Sequence, residues 1–450
     1  MPYNRQGRTK DFPVFDCDSH IFEPPDVWEK YIPSHQREFA KSHLYVDNDR
    51  GIRVLNGRKS FLDPRTFSYA AEVWNPTITK SDIGAVSPED PDWDERVGRN
   101  AITRDPYARL REMDACGIDQ VMVFPSAPMI QMPLVKNAEA ARICARAYND
   151  WVDDYCSANR RRLYPCGIIA PQDVDFAIEE LRRIAGMGFK AAAVRPILSN
   201  GKYPTFPEYD RLWHEFESLG LALCMHTFIA PGTMSRELAE RIAVVHEEAG
   251  IRDPQTFEPE VSAYSPGQFV PNIMEAMGSV VPSLEPLSFV AEAMNWLTIV
   301  LMSGWLEKFP GLRVAVLESN AAWLPLVLEK AEGFLDLHRH ILERANLKIG
   351  DPEEVFNRQC FIGFEADEDP VLRLWDMYEN VGIWASDMPH HDAADAWEAI
   401  DRMTGWGVPQ TAQLKFLGGN ACRLYGIEQQ LFVTEAPAEY TPQKLPRIFS

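Results

Sequence analysis

The chain has 450 residues, 46% of them hydrophobic, which is enough to bury a large core, and its formal net charge is −21. Length alone favours two or three domains, although barrel proteins often exceed that length as one domain. The excess of acidic residues argues against a nucleic-acid partner, because binding a phosphate backbone depends on clustered Lys and Arg.

The N-terminus has basic residues but no apolar run of signal-peptide length behind them, and the eight cysteines form no CxxC pair. We therefore expect reduced thiols and a cytoplasmic protein. The longest apolar stretch, 288–305, is interrupted by Glu292 and Asn295. It predicts a helix packed against a barrel, and we expect no membrane span.

Short β-branched and aliphatic runs alternate with longer helical patterns along the chain, which is typical of βα units with a parallel sheet. The predicted strands are 12–18, 119–125, 163–171, 191–196, 222–227, 313–319, 360–365 and 382–387. The predicted helices are 107–116, 138–159, 173–187, 207–219, 287–309, 322–346, 369–378, 393–404 and 411–425. Eight such units predict an α/β fold, a (β/α)8 TIM barrel, with a doubly wound open sheet as the main alternative.

Two connections, 21–105 after the first strand and 228–286 after the fifth, are too long for simple loops. Both follow the carboxyl end of a strand, which is the active-site face of such barrels, so we interpret them as lids or pocket walls. The predicted organisation is one barrel domain over 12–425 followed by a Pro-rich arm, 426–450. We also expect a homodimer, with the arm or the first insertion crossing to the partner subunit.

Ionisable residues follow four of the predicted strands at the points where those strands end. They are Asp18, His20, His226, Glu318 and Asp387. If the barrel closes, the four strand ends meet at one rim, and three carboxylates buried together there need a cation. Glu23 and His391 are further candidate ligands nearby in the sequence, and His390 is ambiguous because only one of the two adjacent histidines is expected to point inward.

Each of these residues also has a simpler interpretation. A histidine such as His226 at the end of an apolar strand is more often a hydrogen-bonded core residue, and Asp18 could serve a turn. The prediction of a metal centre therefore depends on the joint pattern.

Several segments resemble the amidohydrolase-related proteins, the branch of the amidohydrolase superfamily that includes aminocarboxymuconate-semialdehyde decarboxylase. They are DCDSHIFEPPDVW, GFKAAAVRP, LCMHT, AVLESNAAWLPLVLEK, FIGFEADEDP and WASDMPHHD. The resemblance covers about 12–425 and implies a metal-dependent barrel of the hydrolase type. The family pattern places an HxH pair on strand one, a histidine on strand five, often a histidine on strand six, and an aspartate on strand eight.

The chain departs from this pattern at two positions, and it differs from other branches of the superfamily at a third. Asp18 replaces the first histidine of HxH, Glu318 replaces the sixth-strand histidine, and Arg195 stands where other branches of the superfamily have a bridging carbamylated lysine. Replacing imidazole by carboxylate favours harder ions. The resemblance to a carboxylate-rich subgroup implies two divalent metal ions, with iron preferred and zinc or manganese as alternatives.

The main functional prediction is therefore a non-heme diiron monooxygenase that hydroxylates an apolar or aromatic small molecule. No GxGxxG fingerprint follows a strand, so this function would need O2 and an external electron donor. The alternatives are a metal-dependent hydrolase, with Asp387 as proton acceptor, and a non-oxidative decarboxylase, with Arg195 holding a substrate carboxylate. His391 is the remaining candidate catalytic residue. A metal-free barrel acting as a binding or scaffold protein is the non-enzyme alternative.

Overall fold

The computed structural model describes residues 4–61, 72–196, 198–199, 202–227, 285–344 and 347–447. All eight predicted strands are present and we label them in chain order. They are β1 (Phe15–His20), β2 (Gln120–Phe124), β3 (Leu163–Ile168), β4 (Ala191–Val194), β5 (Ala222–His226), β6 (Val314–Leu317), β7 (Cys360–Phe364) and β8 (Gly382–Trp384).

Each strand pairs in parallel with the next one along the chain, so the sheet order is β1 through β8 without a reversal. After β8 the chain returns to β1: Asp387 N donates to Asp18 O (3.1 Å) and His20 N donates to Met388 O (2.8 Å). A doubly wound sheet would reverse its strand order at a switch point. The barrel prediction is therefore confirmed.

The main helices alternate with the strands, as the hydrophobic periodicity predicts. They are α1 (Pro106–Cys116), α2 (Ala138–Cys156), α3 (Val174–Met187), α4 (Asp210–Leu219), α5 (Glu285–Met302), α6 (Leu324–Arg344), α7 (Asp369–Arg373) and α8 (Ala396–Gly405). Shorter helices are Asp26–Lys30, Ser34–Lys41, Lys80–Gly84, Trp93–Arg96, Ala127–Gln131, Trp305–Lys308, Pro352–Gln359, Trp375–Tyr378, Gln410–Leu414 and Asn420–Tyr425.

Local sequence sets the ends of these helices. Helix α1 begins after Asp105, whose side chain accepts a hydrogen bond from Tyr107 N, and it ends at Gly117, whose φ of 75° suits glycine. The helix predicted over 287–309 is divided, because Gly304 adopts a φ of 68° between α5 and the short helix Trp305–Lys308.

The first insertion, 21–105, carries a three-stranded antiparallel sheet: Leu44–Asp47, Ile52–Leu55 and Arg58–Phe61. Its later part reaches the barrel mouth, where Trp74 N donates to Pro389 O (3.2 Å) in the loop after β8. The second insertion, predicted over 228–286, lies outside the described residues except for the first two residues of α5.

The C-terminal arm packs on its own chain. Lys444–Leu445 pairs with Arg99–Asn100 in the first insertion, and the Tyr440 hydroxyl donates to Glu112 Oε2 of α1 (2.8 Å). The homodimer stays a prediction. All eight cysteines are free and buried, and among the described residues none of the helices is long and apolar enough to cross a membrane.

Candidate metal centre

The polar residues predicted to converge come from four strands that are separated in the sequence. Asp18 and His20 belong to β1, and His226 is the last residue of β5. Glu318 directly follows β6, and Asp387 lies three residues beyond β8. The structure brings all five together at the carboxyl ends of the strands, which is the active-site face of such barrels.

The ligand atoms of these side chains lie within one small volume. They form two overlapping groups in which all atoms are within 4.8 Å of one another: Asp18, His20, His226 and Glu318, and His20, Glu318, Asp387 and His390. His20 Nε2 is 3.6 Å from Asp18 Oδ1 and 3.6 Å from Asp387 Oδ1. His226 Nε2 is 3.4 Å from Asp18 Oδ2 and 3.9 Å from Glu318 Oε2.

The two buried imidazoles aim the same nitrogen at the same point. His20 Nδ1 is 3.2 Å from Pro125 O and His226 Nδ1 is 2.7 Å from Thr227 O, contacts in which the Nδ1–H groups donate to carbonyl oxygens. Their Nε2 atoms, 3.2 Å apart, then face each other with lone pairs. The two facing lone pairs repel each other. Burial lowers the pKa of both rings, that of His226 to about 3, so protonation of a ring does not relieve this repulsion. A metal ion between them does.

The carboxylates need a cation for the same reason. Burial and the neighbouring acids raise the pKa of Asp18, Glu318 and Asp387 well above the ordinary range. Within the described part of the chain, Asp18 Oδ1 and Asp387 Oδ1 are buried oxygens without a hydrogen-bond partner. Two imidazole nitrogens and several carboxylate oxygens are a suitable ligand set for a divalent ion, and the residues present fit one.

The backbone is strained where two of the carboxylates are attached. Glu318 and Asp387 have φ values of 53° and 55°, in the left-handed region that residues other than glycine rarely adopt. Such conformations persist where the surrounding structure enforces them, and they concentrate at functional sites. Each one turns a side chain from the end of its strand into the cluster.

Hydrogen bonds between buried residues next to the cluster fix the end of β1 and the loop after β8. Asp16 accepts hydrogen bonds from Ser386 N (2.9 Å) and Ser386 Oγ (2.5 Å), which joins β1 to the loop carrying Asp387. The Arg109 guanidinium, from α1, donates to Ser19 Oγ (2.5 Å) and to His20 O. These bonds fix the backbone of β1 on which Asp18 and His20 lie.

Glu23 and His391, both predicted as metal ligands, are not part of the cluster. Glu23 is fully buried, but its oxygens accept hydrogen bonds from Ser126 N (2.9 Å) and Ala127 N (3.2 Å). His391 is half-exposed beside Asp392. The backbone amides provide the partners that a buried carboxylate needs, so Glu23 does not require a metal ion.

His390 occupies the position that the sequence analysis gave to His391. Its Nδ1 lies 2.7 Å from Asp387 Oδ2, and its ring stacks on that of His20 with the centroids 4.6 Å apart. The turn after β8 decides which of the two adjacent histidines faces inward, since His390 N donates to Asp387 O (2.9 Å). The i,i+3 spacing from Asp387 was the available signal.

Arg195, a predicted catalytic residue, is buried and paired with a residue that the sequence analysis did not assign to the site. Its Nη2 contacts Glu292 Oε1 (3.0 Å) and Oε2 (3.1 Å), from α5. The acid that interrupts the apolar stretch 288–305 was the available signal. Arg195 also lines an apolar pocket at the ends of β3 and β4, whose walls include Met129, Met132, Ile168, Val194 and Leu198.

Relative to a Glu112→Gln variant, the wild-type protein is expected to lose stability as the pH rises from about 4.5 to 7. Burial raises the pKa of Glu112 from 4.5 to about 7. The folded state therefore holds a proton that the unfolded state has released, so the free energy of unfolding falls with pH through this window. Urea unfolding of both metal-free proteins at pH values across this window should show that the difference between their free energies of unfolding changes by on the order of 1–3 kcal/mol. A pH-independent difference between them would contradict the prediction.

A closed parallel barrel with a histidine–carboxylate cluster at its carboxyl ends is a metal-dependent enzyme of the hydrolase barrel type. The amidohydrolase family model matches residues 16–427. The chain belongs to the amidohydrolase family, which confirms the family resemblance noted in the sequence.

Among curated proteins, the chain is similar to gamma-resorcylate decarboxylase from Rhizobium sp. (strain MTP-10005), at 31% identity over 124 residues. It is also similar to gamma-resorcylate decarboxylase from Rhodococcus jostii (strain RHA1), at 30% identity over 143 residues. These matches cover 26% and 30% of this chain, and they span only 37% and 42% of the relatives' own lengths.

Among solved structures, an amidohydrolase from Mycobacterium avium subsp. paratuberculosis K-10 matches with a TM-score of 0.67 at 17% identity, covering 93% of this chain and 99% of that one. The 5-carboxyvanillate decarboxylase from Novosphingobium aromaticivorans DSM 12444, complexed with manganese and 4-hydroxy-3-methoxy-5-nitrobenzoic acid, matches with a TM-score of 0.57 at 17% identity, covering 94% and 99%. At these identities the two structures support the barrel fold alone.

Proposed function

We propose that the protein is a metal-dependent, non-oxidative decarboxylase of a phenolic aromatic acid. The buried cluster of two imidazole Nε2 atoms and three carboxylates is the observation that carries this proposal. Gamma-resorcylate and 5-carboxyvanillate, named in the relatives and structural neighbours, are both phenolic carboxylic acids. These comparisons favour the decarboxylase alternative over the diiron monooxygenase, which was the main prediction from the sequence.

Asp18, His20, His226 and Glu318 would hold a single divalent ion. Each neutral imidazole has one free lone pair at Nε2, and both aim at the same point, so one ion satisfies both. Nitrogen and carboxylate oxygen ligands suit manganese, the ion bound in the 5-carboxyvanillate decarboxylase. When bound, the ion supplies positive charge that holds the anionic substrate and withdraws electron density from it.

Asp387 and His390 then remain to carry the proton of the reaction. In a decarboxylation of this kind a ring carbon gains a proton, the bond from that carbon to the carboxylate breaks, and its electron pair returns to the ring as CO2 leaves. The balance needs one proton and no oxidant. Burial and the charges of Asp392 and Glu365 raise the pKa of Asp387, and His390 Nδ1 lies 2.7 Å from its Oδ2, so these two side chains are placed to hold and deliver the proton.

Arg195 is not assigned to the reacting carboxylate, because its Nη2 already contacts both oxygens of Glu292. Together the two side chains contribute no net charge beside the apolar pocket. The lining of that pocket suits a small uncharged, apolar group better than a second carboxylate.

The test incubates the manganese-loaded protein with gamma-resorcylate and with 5-carboxyvanillate under air while CO2, phenolic product and dissolved O2 are measured. We expect one CO2 for each phenolic product from at least one acid, no O2 consumption, and loss of activity after chelation. Consumption of O2 with a hydroxylated product would overturn the proposal in favour of the oxygenase. Hydrolysis of an ester or amide panel without CO2 release would favour the hydrolase.

A further inference from the structure

Glu23 is a fully buried carboxylate that the proposed reaction does not use. One oxygen accepts a hydrogen bond from Ser126 N (2.9 Å) and the other from Ala127 N (3.2 Å). Burying a carboxylate is unfavourable, and burial raises the pKa of Glu23 to about 7. The hydrogen bonds that this buried carboxylate makes therefore indicate its role.

The two amides belong to the turn that supports the imidazole of His20. This turn, 125–127, directly follows β2, and Pro125 O lies 3.2 Å from His20 Nδ1. Ser126 Oγ donates to Ile21 O (2.7 Å) and lies 3.4 Å from the same His20 nitrogen. Glu23 is three residues beyond His20, so a closed loop of hydrogen bonds joins the end of β1 to this turn.

We propose that Glu23 is a positioning residue of the metal centre. By fixing the Ser126 and Ala127 amides, it holds Pro125 O where it accepts the Nδ1–H of His20. That hydrogen bond selects the tautomer whose Nε2 lone pair faces His226 and the carboxylates. The role concerns metal binding, so it goes beyond the proposed decarboxylation and holds for whichever reaction the centre catalyses.

The decisive variant is Glu23→Gln, which has nearly the same shape but replaces one acceptor oxygen with an NH2 group. One of the two backbone amides then faces a donor instead of an acceptor. We expect the affinity of the metal-free protein for Mn²⁺, measured by calorimetric titration, to fall by about 10- to 100-fold. Long-range ¹H–¹⁵N NMR should show His20 changing from a single Nδ1–H tautomer to a mixture.

Glu112→Gln is the matched control. Glu112 is also buried and accepts two hydrogen bonds, from the Tyr440 hydroxyl (2.8 Å) and from Asn100 Nδ2 (2.6 Å), but it belongs to α1 and is not part of the metal cluster. The control variant should have a changed free energy of unfolding, but its Mn²⁺ affinity and its His20 tautomer should be those of wild type.

Wild-type Mn²⁺ affinity in Glu23→Gln, or an equal loss of affinity in the control, would overturn the assignment. If Glu23→Gln does not fold, Glu23→Asp is tested in its place, because a carboxylate shorter by one methylene cannot reach both amides in the same geometry. An outcome in which Glu23→Gln loses Mn²⁺ affinity while wild type releases no CO2 from either acid would support this inference and contradict only the proposed function.

Discussion

Replacing Asp387 with asparagine is expected to lower the rate of CO2 release by about 100- to 10,000-fold, the range typical for loss of a general acid. Asparagine keeps the size of the side chain but cannot supply the proton that the ring carbon needs. Because Asp387 is outside the four-residue group assigned to the ion, the Mn²⁺ affinity of this variant should fall by no more than about 10- to 100-fold, the range for residues next to metal ligands. Steady-state CO2 release and metal titration separate these two effects.

Asp392→Asn is the control for that variant. Asp392 is half-exposed and its charge contributes to raising the pKa of Asp387, but it is not part of either group of candidate ligands. We expect only a small loss of rate, with the pH profile displaced downward as the pKa of Asp387 falls. If Asp387→Asn lost its metal together with its activity, Asp387 would have to be a ligand, and the proton would need another carrier.

The positions of the strands and of five clustered side chains could be predicted from the sequence. Continuous apolar runs identify strands that are buried on both faces, and the sequential order of a barrel then places every strand end on one rim. Asp18, His226 and Asp387 fall on that rim because each ends, or directly follows, such a run. No knowledge of side-chain orientation is needed for that step.

Predicting which nearby residues complete the site was harder, because orientation within a turn depends on local backbone geometry. Glu23 and His391 are close to the site residues in the sequence. However, the Glu23 carboxylate faces backbone amides, and the His391 side chain is half-exposed to solvent. Asp387 adopts a φ of 55°, and the turn that follows brings His390 inward. A residue-type pattern contains no information about that dihedral angle.

The reaction class could not be derived from the count of ligands. Carboxylates at two positions where the family has histidine favoured harder ions, and the resemblance to a carboxylate-rich subgroup then implied two irons. In the structure, the two Nε2 atoms lie 3.2 Å apart and aim at one point, while Asp387 has its own partner in His390. In the proposed function the same five side chains divide between holding an ion and carrying a proton, and this division depends on distances that a sequence does not state.

Replacing His226 with asparagine should weaken Mn²⁺ binding by at least about 100-fold, because one of the two convergent Nε2 ligands is lost and the Asp18 and Glu318 carboxylates then face each other with less compensation. The effect can be measured without any substrate. A ligand present at 100 times its dissociation constant stabilises the folded state by about 2.7 kcal/mol, so wild type should gain that amount at such a Mn²⁺ concentration. At the same concentration a 100-fold weaker variant gains only about 0.4 kcal/mol.

His214→Asn is the control for the His226 variant, since His214 is an exposed residue of α4 that pairs with Glu217 and is not part of the cluster. Its protein should retain the full Mn²⁺-dependent gain in the free energy of unfolding. An equal Mn²⁺-dependent gain in the free energy of unfolding of the His226→Asn variant would mean that the ion binds without a ligand from β5. The two imidazoles would then require another explanation for their opposed lone pairs, and the single-ion centre on which the proposed decarboxylation depends would be wrong.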